Sequence, residues 1–350
     1  MQKCVRPQPV PHGQKPRALG AVVLTAAVFS VSVWSSLSSS FVSAGKSTSG
    51  GKPADFATIL ETHTRKTFRV MSEYVAQNPK AEDVERAYQW LFETARKHGL
   101  EADAISIANE YVNRDQTLPR SRTLALYVLS LGLAKSGKLK EALEGFTEHL
   151  RSAGIRSPDA TLGFATSLVA QAQLAGESGA AREIYERFSN KFFLNPFVRK
   201  LCENRLVKLE LVDRTAPEIS AVDLAGKPVE LADFQGKVLL VDFWSRNCLP
   251  CLTDFPGMKQ LYAEYHKQGL EVVGITLDED REAVDAFQEQ WKLPWRLSMS
   301  QNDREKTQNR YRVRSIPSLF LIDRKGRVAY VDLRGDDLRQ AVEHLLDGKQ

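Results

Sequence analysis

The stretch from Val238 to Cys251 constrains this chain more than any other. Val238, Leu239, Leu240 and Val241 are consecutive apolar residues, and after Asp242 the segment ends on Phe243 and Trp244. A short apolar run with β-branched and aromatic residues predicts a buried strand. After a turn at Ser245-Arg246-Asn247, the pattern predicts a helix that begins at Cys248-Leu249-Pro250-Cys251. A thiol at a helix N-terminus meets unpaired N–H groups and the positive end of the helix dipole, and both favour thiolate. Thiolate is the species that attacks a disulfide. Two intervening residues on the first helical turn bring the second sulfur within bonding reach of the first. Pro250 is tolerated because the first N–H groups of a helix have no intrahelical partner.

The other two cysteines are Cys4 and Cys202, too few for a disulfide-built scaffold, so the fold must rest on apolar cores. A zinc site would need two ligands beyond Cys248 and Cys251, and the six histidines show no matching spacing. No metal and no cofactor beyond the dithiol are therefore expected. Cys202 lies in a helical segment and reads as a small buried hydrophobe. The formal charge of +5 falls to +1 once Lys3, Arg6, Lys15 and Arg17 are set aside, which removes any basic footprint for nucleic acid.

Those four cations precede an apolar run from Ala18 to Trp34, and small residues follow to Val42-Ser43-Ala44. Residues 1–44 read as an export segment, with two outcomes open: a cleaved signal, or a retained membrane anchor. In either case the remainder faces an exported, periplasmic or extracytoplasmic space, where disulfides persist. Residues 45–54 read as a flexible linker rich in Gly, Ser and Lys.

Residues 55–212 carry apolar residues at three- and four-residue spacing, which predicts an all-α domain. A pattern recurs in it. Leu91, Ala95, Gly99, Ala104 and Ala108 are echoed by Leu129, Leu133, Gly137, Ala142 and Phe146, then by Leu168, Ala172, Gly176, Ala181 and Tyr185. Each unit predicts a helix, a turn at glycine and a second helix that opens on a small residue. The pattern resembles tetratricopeptide repeats, in a degenerate form with a longer period. Such repeats can present a protein-binding face, or serve as a spacer or dimer surface.

From residue 214 to 350 strands alternate with helices, and a hairpin around Arg324-Lys325-Gly326-Arg327 precedes a closing helix, which predicts an α/β sandwich. Asp242-Phe243-Trp244, Cys248 to Cys251, Pro256 and Ile316-Pro317 resemble the thioredoxin pattern. Val272 to Asp278 and Tyr311 to Asp323 narrow the resemblance to the TlpA/ResA branch, and residues 278–310 are similar to its helix-and-strand insertion. The resemblance implies a thioredoxin-like α/β domain with a central mixed sheet flanked by helices. It further implies that Cys248 attacks and Cys251 resolves. Pro317 would be a cis-proline that packs on the dithiol, and Trp244, Ile316 and Pro317 would contact substrate. Asp242, aligned with the buried aspartate of thioredoxins, and Asp254, where this branch often has glutamate, are candidates for accepting a proton from the resolving thiol. The implied activity is exported thiol–disulfide exchange, in the reductase direction by analogy. The implied partners are client protein thiols or disulfides and a membrane thiol-shuttling protein.

Departures from the pattern concern potential and substrate. Asn247 stands where the branch has tryptophan, and Leu249-Pro250 replaces the usual intervening pair; such residues tune the potential. Arg246 is either a thiolate-stabilising cation or a solvated charge. The acidic residues of 278–282 suit a helix N-terminus. Two other functions stay open. A peroxiredoxin-like thiol peroxidase has Ser245 in its favour and Val241, in the place of a proline, against it. A helical-repeat binding protein with an auxiliary redox domain is the other.

Overall fold

Gly99, Gly137 and Gly176, the recurring glycines of the helical half, all adopt left-handed φ, at 67°, 77° and 74°. Each ends a helix where a residue with a Cβ would be strained. The computed structural model describes residues 55–154, 158–299 and 307–348. The expected export segment and linker lie outside the described residues. The helical part comprises α1 (Phe56–Gln77), α2 (Val84–His98), α3 (Ile105–Val112), α4 (Pro119–Lys135), α5 (Leu139–Ser152), α6 (Asp159–Leu174), α7 (Ser178–Lys191) and α8 (Pro196–Leu209). On α2 the buried residues Val84, Ala87, Tyr88, Leu91, Phe92 and Ala95 form one helical stripe. Ala104, Ala142 and Ala181, the small residues of the repeat, are completely buried, so successive helices can approach closely there. Gly132 on α4 serves the same end: a Cβ at this position would stand 2.4 Å from the Glu101 carbonyl oxygen.

The α/β part follows as β1 (Ala221–Val222), β2 (Pro228–Val229), β3 (Val238–Trp244), α9 (Leu249–Tyr265), β4 (Leu270–Thr276), α10 (Arg281–Trp291), β5 (Arg296–Ser298), β6 (Ser318–Ile322), β7 (Val328–Val331) and α11 (Gly335–Leu346). Strands β5-β4-β3-β6-β7 form a mixed sheet, parallel from β5 to β3 and antiparallel from β3 to β7. This is a thioredoxin-like sheet with helices on its faces. The expected insertion is α10 and β5. β2 is only two residues long, because a 3-10 turn takes over at Leu231.

Strand alternation divides the core. Leu239, Val241 and Phe243 of β3 face a cluster that continues without a break into the helical layer, through Leu209, Phe188 and Phe164 as far as Phe68. Val238, Leu240 and Trp244 face a second cluster with Phe255 and Met258 of α9 and Leu338 and Val342 of α11. Asp242 shares the parity of this second face. Residues from Phe56 onward form one compact unit.

The helical layer also covers the outer edge of β7. Val328 exchanges backbone hydrogen bonds with Asp213 and Arg214. Further along, the Gln173 side chain of α6 pairs with both backbone groups of Val331. The opposite edge is covered where Leu224 donates to the Leu297 carbonyl and Asp223 bridges Ser298. Both sheet edges are thus closed to strand addition along these stretches.

Candidate active site

Cys248 is the N-cap of α9, and the N–H of Cys251 donates to its Sγ at 3.3 Å. Leu249 and Pro250 open the helix with their side chains in solvent; Leu249 is 73% exposed. The two sulfurs are joined in a disulfide. They differ in access. Cys248 is half-buried at the rim, whereas Cys251 is 1% exposed and packed among Trp244 and Phe255. Only the first sulfur is placed for attack from outside.

Beneath the dithiol helix, Asp242 is 2% exposed, and one of its carboxylate oxygens has no hydrogen-bond partner. Burial, reinforced by the nearby Asp254 carboxylate, pushes its pKa up to about 8, with Arg334 opposing. It is therefore mostly protonated at neutral pH, with a minority ionised. Asp254 lies on α9 one turn beyond Cys251. Its burial raises its pKa, and Arg334 counters that rise, with Arg334 Nε 2.9 Å from Asp254 Oδ2.

The Ile316–Pro317 peptide bond is cis. Ser318 pairs with Phe243 in the sheet, which puts Pro317 at the same end of the sheet as the dithiol turn. Ile316 is partly buried against the cluster that holds Cys251. The guanidinium of Arg334 donates to the Pro317 carbonyl at 3.3 Å. Cys248, Cys251, Asp242, Asp254, Ile316 and Pro317 thus gather at one end of the sheet.

Trp244 does not face a client. It is wholly buried, edge-on to Phe255 at 5.2 Å and tilted on Phe287 at 5.0 Å, so it supports α9 from below. The expectation of substrate contact fails because Trp244 shares the inward parity of Val238 and Leu240. Arg246 is held by Asp278, which lies 3.7 Å from its Nε and accepts the Arg246 N–H at 2.8 Å. Asp280 caps α10 by accepting from Ala283 N–H. Cys202 is 1% exposed, and burial pushes its thiol up to about 11, so in the folded chain it is enclosed and held as the thiol at neutral pH. Among the described residues no three metal-ligating side chains cluster.

Three residues near the site escape the sequence patterns. Lys208 of α8 pairs with Asp332 just after β7 and donates to Ser318 Oγ at 2.9 Å. Arg334 follows in the same loop. A lysine on a helix and a charged loop carry no local sign that tertiary packing will bury or aim them.

A family model described as the AhpC/TSA family matches residues 212–331. The thiol-disulfide oxidoreductase ResA of Bacillus thuringiensis subsp. konkukian is 32% identical over 135 residues, covering 39% of this chain and 76% of its own. ResA of Geobacillus thermodenitrificans is 32% identical over 137 residues, covering 38% of this chain and 78% of its own. Among solved structures, the thioredoxin domain of a thiol-disulfide oxidoreductase from Bacteroides vulgatus is 31% identical, with a TM-score of 0.37, over 39% of this chain and 97% of that one.

Proposed function

The chain belongs to the ResA family of thiol-disulfide oxidoreductases, and we propose that it acts through Cys248 and Cys251 as an exported reductase of client protein disulfides. The carrying observation is the unequal access of the two sulfurs above a buried, unpaired carboxylate. In the reduced protein the Cys248 thiolate attacks one sulfur of a client disulfide. A Cys248–client bond forms, and the client's other sulfur leaves as thiolate. Cys251 then gives up its proton, with Asp242 and Asp254 as the nearby carboxylates, and attacks the Cys248 sulfur. The second client thiol is released and the Cys248–Cys251 disulfide forms. The client gains two electrons and the dithiol loses two. A membrane thiol-shuttling protein is the proposed electron source for the next cycle.

Direct closure between Cys248 and Cys251 supports disulfide exchange over peroxide reduction. For export, the proposal rests on the basic and apolar pattern of residues 1–44. Among the described residues, no helix is long and apolar enough to cross a membrane.

The test is the reduction potential of the pair, measured on the chain from residue 45 in thiol–disulfide buffers. A value near about −270 mV, as in thioredoxin, supports the reductase direction. A value near about −120 mV, as in DsbA, reverses it. Failure to form a reversible disulfide overturns the exchange reading.

A further inference from the structure

The loop between β7 and α11 joins the redox centre to the helical layer. Asp332 begins it with φ at 57°, a left-handed conformation that side-chain-bearing residues rarely adopt. Its carboxylate is held from two sides: Oδ1 accepts the N–H of Leu319 at 3.2 Å, and Lys208 of α8 forms an ion pair with it. Lys208 is almost fully buried and also donates to Ser318 Oγ, next to Pro317. Arg205 of α8 adds its positive charge toward Asp332 while donating to Thr166 and Tyr185 at 2.7 Å. A buried cation on a neighbouring layer therefore fixes the backbone of this loop.

Two residues on, Arg334 projects to the dithiol side. One guanidinium meets both the Asp254 carboxylate on α9, as an ion pair, and the Pro317 carbonyl before β6. It also borders a cavity of about 210 Å³ between α9 and α11, lined by Asp254, Met258, Leu261, Asp336 and Arg339 among others.

We propose that Arg334 is a positioning residue of the redox centre, tying the dithiol helix to the Pro317 segment, and that Lys208 of the helical layer holds it there through Asp332. On this reading α8 is a structural part of the exchange site, not only part of a separate module. The inference rests on the proposed disulfide exchange at Cys248 and Cys251. Its chemical consequence is electrostatic. The groups that face Asp254 are Asp242 from β3, Arg334 from the loop, and Asp336 and Arg339 from the α11 side of the cavity; Arg339 is already paired with Glu264 at 2.6 Å. Arg334 is thus the cation that balances the Asp254 carboxylate and opposes the rise of Asp242 under the dithiol. Without it the unbalanced Asp254 charge opposes thiolate formation.

The test follows alkylation of Cys248 by iodoacetamide against pH in the reduced chain, together with the rate at which that chain reduces insulin disulfides. Arg334→Met should move the alkylation midpoint upward by at least half a pH unit and slow insulin reduction several-fold. Arg334→Lys should restore part of the midpoint shift, because it keeps the charge but not the two-armed geometry. The double variant Lys208→Met/Asp332→Asn, which removes both members of the ion pair together, should shift the midpoint in the same direction with Arg334 intact. Arg339→Met, an equal loss of charge at the same cavity, should leave the midpoint where it is. Arg334 is 34% exposed in its side chain, so its own variants carry the test even where the double variant does not fold. An Arg334→Met profile that superimposes on the parent overturns the proposal, as does an equal shift in Arg339→Met. A parent chain inert toward both probes instead overturns the exchange function itself.

Discussion

Gln173 of α6 binds the backbone of Val331 as a neighbouring strand would: its Nε2 donates to the Val331 carbonyl at 3.0 Å, and its Oε1 accepts the Val331 N–H at 2.9 Å. A helix side chain thereby satisfies an edge strand that would otherwise bury two unpaired groups. Gln173→Leu keeps the volume and removes both bonds. With a cost of roughly 1–3 kcal/mol for each of the two buried groups left unsatisfied, the variant should lose about 2–6 kcal/mol, read from urea unfolding. A fragment beginning at Arg214 lacks Gln173 and the apolar cover from α6 and α8. It should be less stable than the longer chain and prone to associate through β7. Equal stability of the two would show that the helical layer adds nothing to the α/β fold.

The unequal burial of the two cysteines sets the order of the chemistry. In the reduced chain Cys248 should alkylate at least tenfold faster than Cys251, and Cys202 should stay unmodified until the protein unfolds. Cys251→Ser should accumulate a mixed disulfide with a model client on non-reducing gels, because no second thiol is in place to release it. Cys248→Ser should not. Trapping by Cys248→Ser alone would reverse the assigned roles.

The redox segment was legible because its signals are local. An apolar run interrupted only by Asp242 made β3, and two cysteines three positions apart at a predicted helix start gave the N-cap geometry found at Cys248. Gly99, Gly137 and Gly176 likewise marked helix ends, since left-handed backbone at a helix end favours glycine. What escaped was decided by the other layer. Sequence texture changes near residue 213 and suggested separate domains, yet the apolar face of β3 and the helical layer share one core. Trp244 looked like a client contact until strand parity turned it inward. Lys208, Asp332 and Arg334 meet through residues more than a hundred positions apart, and no periodicity records such a meeting.

Two glycines on neighbouring helices should respond oppositely to the same substitution. Gly132 on α4 lies against the Glu101 carbonyl and the Ile105 side chain, so a Cβ there forces backbone to move. Gly132→Ala should destabilise by about 1–3 kcal/mol. Gly163 on α6 is exposed, and a Cβ there would meet nothing within 4 Å. Gly163→Ala should stabilise by about 0.5–1 kcal/mol through helix propensity and reduced freedom of the unfolded chain. Thermal or urea unfolding of the two variants beside the parent checks both signs. If Gly132→Ala were neutral, the tight approach of α4 to the Glu101 turn would be wrong.

Asp242 should make the fold's stability fall as pH rises from acid to neutral. Its pKa in the folded chain is about 8, against an ordinary value of 3.8. Below about pH 4 it is protonated in both folded and unfolded states and has no differential effect on the slope. Between these two values the folded state holds a proton that the unfolded state has lost, so each unit of pH removes up to about 1.4 kcal/mol of stability. Above the folded pKa both states are ionised and the loss is complete. Asp242→Asn removes this titration. It should therefore be more stable than the parent by about 2–4 kcal/mol at pH 7, with the gap closing below pH 4 and levelling off above pH 8. The same variant should slow insulin reduction, because an amide cannot do what the ionised fraction of Asp242, present near its pKa of about 8, does in taking the Cys251 proton. Urea unfolding of both proteins at several pH values gives the first result, and initial rates give the second. A stability gap independent of pH would mean that Asp242 is ionised in the folded protein, and a parental rate would remove it from the proton path.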